Sequence, residues 1–282
     1  MRIFVTGGTG FIGTHFLRAA LNEGHEVIAL RRRGSSVSGI ESTHLNWIEG
    51  QLNNISIEIL KTCDSLVHFA AAGVSPQPTD WETAFKINVQ DSLHLCLRAE
   101  DAGVGHIVAC GSCFEYGLSG LCYPEIPIDA PLEPIGPYAS SKAAFSVAFK
   151  GLARSSKKSF SLVRLFHLFG EGQDGGNFWP SLKKAAESGE DFEMTAGTQI
   201  RDFMPVREAA LEFLKCLSSP PLPGNARVTH IGSGKPISLA EFASYWWHQW
   251  EASGKLKIGA LPQRNDEVMR FVPKLTQLDE NS

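Results

Sequence analysis

Short apolar runs alternate with longer amphipathic stretches through the first part of the chain. Ile3–Thr6, Glu26–Leu30, Ser65–Phe69 and His106–Cys110 read as buried strands. Between them, Phe11–Glu23 and Trp81–Ala102 repeat apolar residues at helical spacing. A further helix is expected from near Tyr138 to about Arg154, followed by the strand-like Phe160–Leu165. This alternation predicts βαβ units, a parallel sheet and helices on both of its faces.

After Gly170 the pattern changes. Gly170–Gly176, Pro220–Gly224 and Gly232–Pro236 are turn-rich and separate shorter elements. Ser238-Leu239-Ala240-Glu241 is a capping box ahead of the apolar Phe242–Trp250, whose tryptophans have the spacing of a packed helix face. We therefore expect residues 1–170 to form the main α/β domain. Residues 171–282 are expected to form mainly a smaller C-terminal substrate-binding lobe, with some segments free to return to the main sheet.

The turn after the first strand reads Gly7-Gly8-Thr9-Gly10-Phe11-Ile12-Gly13. In a strand–helix turn, such glycines bend the chain, admit a pyrophosphate close to backbone and let the helix pack on the strand. The N–H groups opening that helix then face the anion. This points to a doubly wound, Rossmann-type sheet with Gly7, Thr9, Gly10, Phe11, Ile12 and Gly13 against a dinucleotide. The second strand runs into Arg31-Arg32-Arg33, with no acid in that window to meet a ribose hydroxyl. A guanidinium there suits a 2′-phosphate, so Arg31 and Arg32 favour NADP(H), with NAD(H) still open. Ala70 and Ala71 end the third strand with small residues, where backbone must pass near a cofactor, and Asn88 lies in the helix that follows.

Tyr138-Ala139-Ser140-Ser141-Lys142 places a phenol and an ammonium on one helix face, one turn apart. A nearby ammonium favours phenolate, so Lys142 is expected to lower the Tyr138 pKa. Ser112 follows the His106–Cys110 strand, where ligands collect beyond the carboxyl ends of a parallel sheet. Ser112, Tyr138 and Lys142 are the expected catalytic set.

Together these motifs resemble the extended short-chain dehydrogenase/reductase superfamily, in its NAD-dependent epimerase/dehydratase family. Ser112 through Gly117 is similar to that family's Ser/Thr-x-x-x-Tyr-Gly loop. Arg164–Gly170 and Arg201–Val206 are similar to two later family stretches. The resemblance implies an enzyme passing hydride between a nicotinamide and a sugar carbon. Tyr138 would be the acid/base, Ser112 would share the reacting oxygen, and Lys142 would hold the ribose.

Three departures narrow the reaction. Cys113 and Phe114 stand where the family's dehydratases resemble Asp-Glu, which disfavours loss of water; Glu115 is one place displaced and is expected to point elsewhere. His167 replaces the usual Asn. With Asn177-Phe178 and Gln263–Glu267, it most resembles the CDP-abequose synthase type, which reduces a CDP-4-keto-6-deoxyhexose in deoxysugar synthesis. His167, Asn177, Arg201 and Arg264 are the expected substrate-binding residues, the two arginines for a pyrophosphate. The competing readings are a nucleotide-sugar 4-epimerase with bound NAD, a reductase of another ketone, and a non-catalytic NAD(P)-binding protein.

Composition sets the remaining bounds. A formal net charge of -4 argues against nucleic-acid or membrane-surface partners. No apolar run approaches a membrane span, and the chain opens directly on a strand. Six scattered cysteines suit reduced thiols in the cytoplasm and no metal site. A homodimer is left open.

Overall fold

The computed structural model describes residues 1–35, 39–263 and 268–275. Strands β1 (Arg2–Thr6), β2 (Glu26–Arg31), β3 (Leu45–Glu49), β4 (Ser65–His68), β5 (His106–Ser112) and β6 (Ser159–Leu165) come first. Further strands follow: β7 (His167–Phe169), β8 (Phe192–Met194), β9 (Ile200–Pro205), β10 (Ala226–Ile231), β11 (Pro236–Ser238), β12 (Leu256–Ile258) and β13 (Arg270–Phe271). The α-helices are α1 (Phe11–Asn22), α2 (Ile57–Leu60), α3 (Trp81–Phe85), α4 (Ser92–Asp101), α5 (Gly136–Ser155), α6 (Phe178–Ser188), α7 (Val206–Ser218) and α8 (Leu239–Gln249).

Seven parallel strands form one sheet in the order β10-β6-β5-β4-β1-β2-β3. This is the doubly wound, Rossmann-type sheet that the alternation predicts. Its strand order reverses direction between β1 and β4, which opens a crevice at the carboxyl ends of those two strands. Period-two alternation builds both faces. Ile3, Val5, Val67, Val108 and Val163 meet Phe16, Leu17, Phe213 and Leu214 of α1 and α7. Phe4, Leu66, Ile107 and Leu162 meet Leu95, Phe145 and Phe149 of α4 and α5. Each such side chain, fully buried, is worth roughly 1.5–3 kcal/mol in area removed from water.

Residues after 170 divide between two bodies. Helix α7 packs on α1, and β10 pairs with β6, so both complete the main sheet. Helices α6 and α8 instead share a separate apolar core with β8 and β12, built on Leu182, Met194, Ala243 and Trp247. Trp246 and Trp250 stack on each other and pack with Trp179, beside Phe169 and Phe242. The capping box forms as expected, with Ser238 accepting from the Glu241 N–H. The Trp81–Ala102 pattern is one continuous helical run interrupted by a π-turn at Lys86–Asp91. Among the described residues, no helix is long and apolar enough to cross a membrane.

Buried histidines tie the sheet to its surroundings. Ser92 donates its hydroxyl proton to the Ile87 carbonyl (2.8 Å), so it must accept from His68 Nε2 (2.9 Å). His68 Nδ1 is then an acceptor for the Thr6 hydroxyl (2.6 Å). Burial lowers His68 to about 3, and His106 and His230 to about 4. The unfolded chain therefore takes up protons first as pH falls. The stability from these three neutral imidazoles is complete above pH ~6.5 and is lost on descending towards the folded values. The unfolding free energy measured with urea is expected to fall steadily from pH 7 to pH 5, by about 1.4 kcal/mol per histidine per pH unit once below ~6, and the midpoint with it. A flat midpoint across that window would show that the histidines are not held neutral.

Candidate active site

The crevice begins at the turn between β1 and α1. Gly7 has φ 70°, and a Cβ there would lie 2.6 Å from the Ala70 nitrogen. A Cβ on Gly13 would lie 2.1 Å from the Gly7 carbonyl oxygen. Only glycine allows α1 to start this close under the strand end. Gly10 caps α1 without a side-chain hydrogen bond, and the first turn at Phe11 and Ile12 holds no acid. The positive helix end is thus left for an anion, and the residues fit a dinucleotide pyrophosphate. Thr9 is half-buried beside that turn. Ala70, whose N–H points to Thr6 Oγ1 (3.4 Å), and Ala71 continue the β4 end across the crevice.

The far side of the crevice is α5. Tyr138 and Lys142 lie one turn apart near its start, and Lys142 is buried. Ser112 ends β5 in register with Leu165 of β6, and its hydroxyl interacts with the Tyr138 phenol. The structure thus brings the three expected catalytic residues together. The expected effect of Lys142 on Tyr138 is corrected. Lys142 Nζ donates to the Cys110 carbonyl (2.6 Å), and burial pushes the phenol well above the usual tyrosine range, only partly opposed by Ser112. Tyr138 is therefore a protonated donor in this fold at neutral pH.

Asn88 holds the two sides in register. It accepts from the Ala72 N–H (2.7 Å) and donates to the Ala72 carbonyl (3.0 Å) and to Ser141 Oγ (2.9 Å). Ser141 in turn donates to the Tyr138 carbonyl (2.8 Å). Asn88 is fully buried in the π-turn, so it positions the β4 loop against α5.

Glu115 also departs from its sequence reading. Rather than pointing away, it turns beneath Ser112 and is fully buried. Its carboxylate accepts from the Ser112 N–H (2.8 Å), Ser146 Oγ (2.7 Å) and Arg164 Nε (2.8 Å). Arg164 Nη1 reaches Tyr116 Oη (2.6 Å) and the Ile128 carbonyl (3.1 Å), and Tyr116 meets His230 (2.6 Å). Gly111 makes the room: a Cβ there would meet Glu115 at 2.8 Å and Arg164 at 2.9 Å. The signal was present in the sequence, because Ser112-x-x-Glu115 is itself a capping box, and it forms one.

At the end of β2 the structure changes the picture of the arginines. Arg31 pairs in register with Glu49 of β3, and its Nη2 donates to that carboxylate (3.1 Å). The acid missing from the local window arrives from the neighbouring strand, which no local motif announces. Arg32 and Arg33 are exposed.

Three further expected substrate residues, His167, Asn177 and Arg201, come from β7, the start of α6 and β9. His167 is half-buried and opens β7; burial lowers it to about 3, so it is neutral. Arg201 is buried on β9, donates to the Ile200 carbonyl (2.9 Å) and lies over the Phe271 ring (5.6 Å). Asn177 caps α6, but its side chain bonds Ser75 across the crevice mouth (Oδ1 accepting at 3.2 Å, Nδ2 donating to the carbonyl at 3.2 Å). Arg264 lies outside the described residues. Asp202, beside Arg201, accepts from the Ser233 and Gly234 N–H groups (2.6 and 2.7 Å) and pins the β10–β11 loop. Cys113, at the first dehydratase position, is buried with its thiol pushed up to about 12.

A seven-stranded crevice with a glycine turn on one side and Ser112, Tyr138 and Lys142 on the other defines an NAD(P)-dependent oxidoreductase of the extended short-chain dehydrogenase/reductase type. Residues 3–232 match the NAD dependent epimerase/dehydratase family, and the chain belongs to it. It is 27% identical over 275 residues to the CDP-abequose synthase of Salmonella muenchen, covering 95% of this chain and 87% of that protein. It is 29% identical over 280 residues to a UDP-glucose 4-epimerase of Haemophilus influenzae, covering 86% and 80%. Among solved structures, MoeE5 in complex with UDP-glucuronic acid and NAD superimposes with a TM-score of 0.84 at 28% identity, covering 98% of this chain and 91% of that one.

The buried ion pair gives the site a direct stability test. Glu115→Gln keeps the shape but leaves the Arg164 charge uncompensated. Breaking a buried pair in this way is expected to cost roughly 3–5 kcal/mol. Equilibrium urea unfolding at pH 7 measures it; a loss under about 1 kcal/mol would mean that the pair does not hold the loop.

Proposed function

We propose that this chain is a 4-ketoreductase, reducing a nucleotide-linked 4-keto-6-deoxyhexose with NADPH in the cytoplasm. The observation that carries the reading is the donor arrangement: a half-buried, protonated Tyr138 phenol beside Ser112, with no carboxylate at positions 113 and 114. A reduced nicotinamide supplies the hydride in such a reaction. Ser112 Oγ and Tyr138 Oη receive the ketone oxygen. As the carbonyl carbon gains hydride, Tyr138 gives its proton to that oxygen, and the alcohol is complete. The resulting phenolate regains a proton from solvent, and the buried Lys142 is assigned to the nicotinamide ribose. Dehydration is disfavoured because the Cys113 thiol stays protonated and a phenyl ring carries no proton.

His167, Asn177, Arg201 and Arg264 are assigned to the nucleotide sugar. The similarity to a CDP-abequose synthase supports a reductase. A second reading, a nucleotide-sugar 4-epimerase with bound NAD, is favoured by the similarity to UDP-glucose 4-epimerases and to an NAD complex. In that case hydride leaves and returns within one turnover, and purified protein carries NAD. Exposed apolar side chains on α4 and α5, Leu97 and Val147, suit a homodimer.

Two measurements separate these readings. Arg31 is already neutralised by Glu49, so selectivity for a 2′-phosphate falls on Arg32 and Arg33. NADPH is expected to bind at least about tenfold more tightly than NADH, about 1.4 kcal/mol, in calorimetric titration. Equal affinities, or NAD retained through purification, would favour the epimerase. Tyr138→Phe removes only the hydroxyl and should lower kcat by about two to four decades while leaving NADPH affinity within a few fold. Lys142→Met should impair both. Near-normal turnover by Tyr138→Phe, followed by loss of reduced-nicotinamide absorbance, would remove Tyr138 as the proton donor.

A further inference from the structure

The turn after β5 has one outlier. Cys113, Glu115 and Tyr116 are all buried, yet Phe114 between them is 42% exposed. A single exposed phenylalanine is ordinary on a protein surface. This one is supported on two sides. Its ring meets the His167 imidazole edge-on at 5.7 Å and the Phe271 ring edge-on at 5.7 Å. His167 in turn meets Phe203 at 6.0 Å and Phe271 at 6.1 Å. Four aromatic rings, from the turn after β5 and from β7, β9 and β13, thus make a fixed wall. The wall stands two residues from Ser112 in the chain and at the exit of β6, whose last residue pairs with Ser112.

The chemistry of the wall is one-sided. The Cys113 thiol behind it is buried and protonated, and it offers at most a weak hydrogen bond. The Ser112 hydroxyl already accepts from the Phe114 N–H (3.2 Å). His167 Nδ1 is buried without a hydrogen-bond partner among the described residues, on a neutral ring. A ligand entering beside Ser112 therefore meets a phenyl face, with one unused imidazole nitrogen at its edge. A methyl group loses nothing against that face. A hydroxyl pressed on it gives up its water without a replacement.

We propose that Phe114 is a specificity-determining residue, its ring selecting sugars that carry a methyl rather than a hydroxymethyl group on the carbon facing it. His167 supports the ring and keeps its free nitrogen for a ligand hydroxyl at the wall's edge. This rests on the reading of the site as a nucleotide-sugar site and assigns its 6-deoxy preference to one side chain. The discrimination has an upper bound, because an apolar pocket rejects an added hydroxyl only by about a hundredfold.

The test is calorimetric binding to the full chain in the presence of NADP+. The probes are CDP-, UDP- and dTDP-linked glucose, each against the matching 6-deoxyglucose. For whichever nucleotide binds, the 6-deoxy sugar is expected to bind at least about tenfold more tightly. Phe114→Ser is expected to bring the two sugars within about threefold. Phe114→Leu, which keeps an apolar wall, is expected to retain most of the preference and also shows that the turn tolerates substitution. Equal binding of the two sugars by the parent, or an undiminished preference in Phe114→Ser, overturns the role of Phe114 and leaves the nucleotide-sugar reading standing. Binding of none of the six probes overturns both.

Discussion

The carboxylate of Glu115 and the guanidinium of Arg164 lie 2.8 Å apart, and both side chains are out of water. Charges so placed are tolerable only when nearly every hydrogen-bonding position is met. Here the carboxylate takes three donors, and the guanidinium is satisfied by Tyr116, Ile128 and Glu115. One of those donors is the Ser112 backbone, so the pair fixes the residue that faces Tyr138. Through Tyr116 and His230 the same network reaches β10 and the Lys274 carbonyl. The end of β5, the exit of β6 and the last described segment of the chain are thereby held in one arrangement.

A second chain of polar contacts keeps the opposite side of the crevice in place. Thr6, His68 and Ser92 link the end of β1 to the helical run after β4. Asn88, in the π-turn of that run, carries the constraint to Ala72 and through Ser141 to Tyr138. The π-turn matters because it changes which residues of the run face inward, and such turns recur at functional positions. Burial then does two things at once. It makes these hydrogen bonds strong, and it keeps Tyr138 protonated and His68 neutral.

The glycine turn, the Tyr138–Lys142 pair, Ser112 and the parallel sheet were all legible in the sequence, because each depends on short-range spacing. A glycine every three residues after a strand, or two side chains four apart on a helix, has nearly the same meaning in any context. Glu115 was misread although its capping-box signal was present. Judged by its offset from a motif, it seemed displaced. Its position is decided by an arginine 49 residues away, and by the space left at Gly111. The lowering of the Tyr138 pKa by Lys142, inferred from proximity, did not survive burial, which acts in the opposite sense.

What the sequence determined by itself is the order of strands and helices, the glycine turn after the first strand and Ser112, Tyr138 and Lys142 as the candidate reacting side chains. Local geometry and hydrophobic period dictate those. The tertiary structure decided which charges meet. Glu49 reaches Arg31 only because β3 pairs with β2 in register, and Asn177 reaches Ser75 across 102 residues of chain. It also decided that Phe114, His167, Phe203 and Phe271 stand together as one wall. Those four residues come from separate segments with no common pattern. Contacts between segments depend on how the sheet stacks and where its loops close, and a periodicity along the chain carries no record of that.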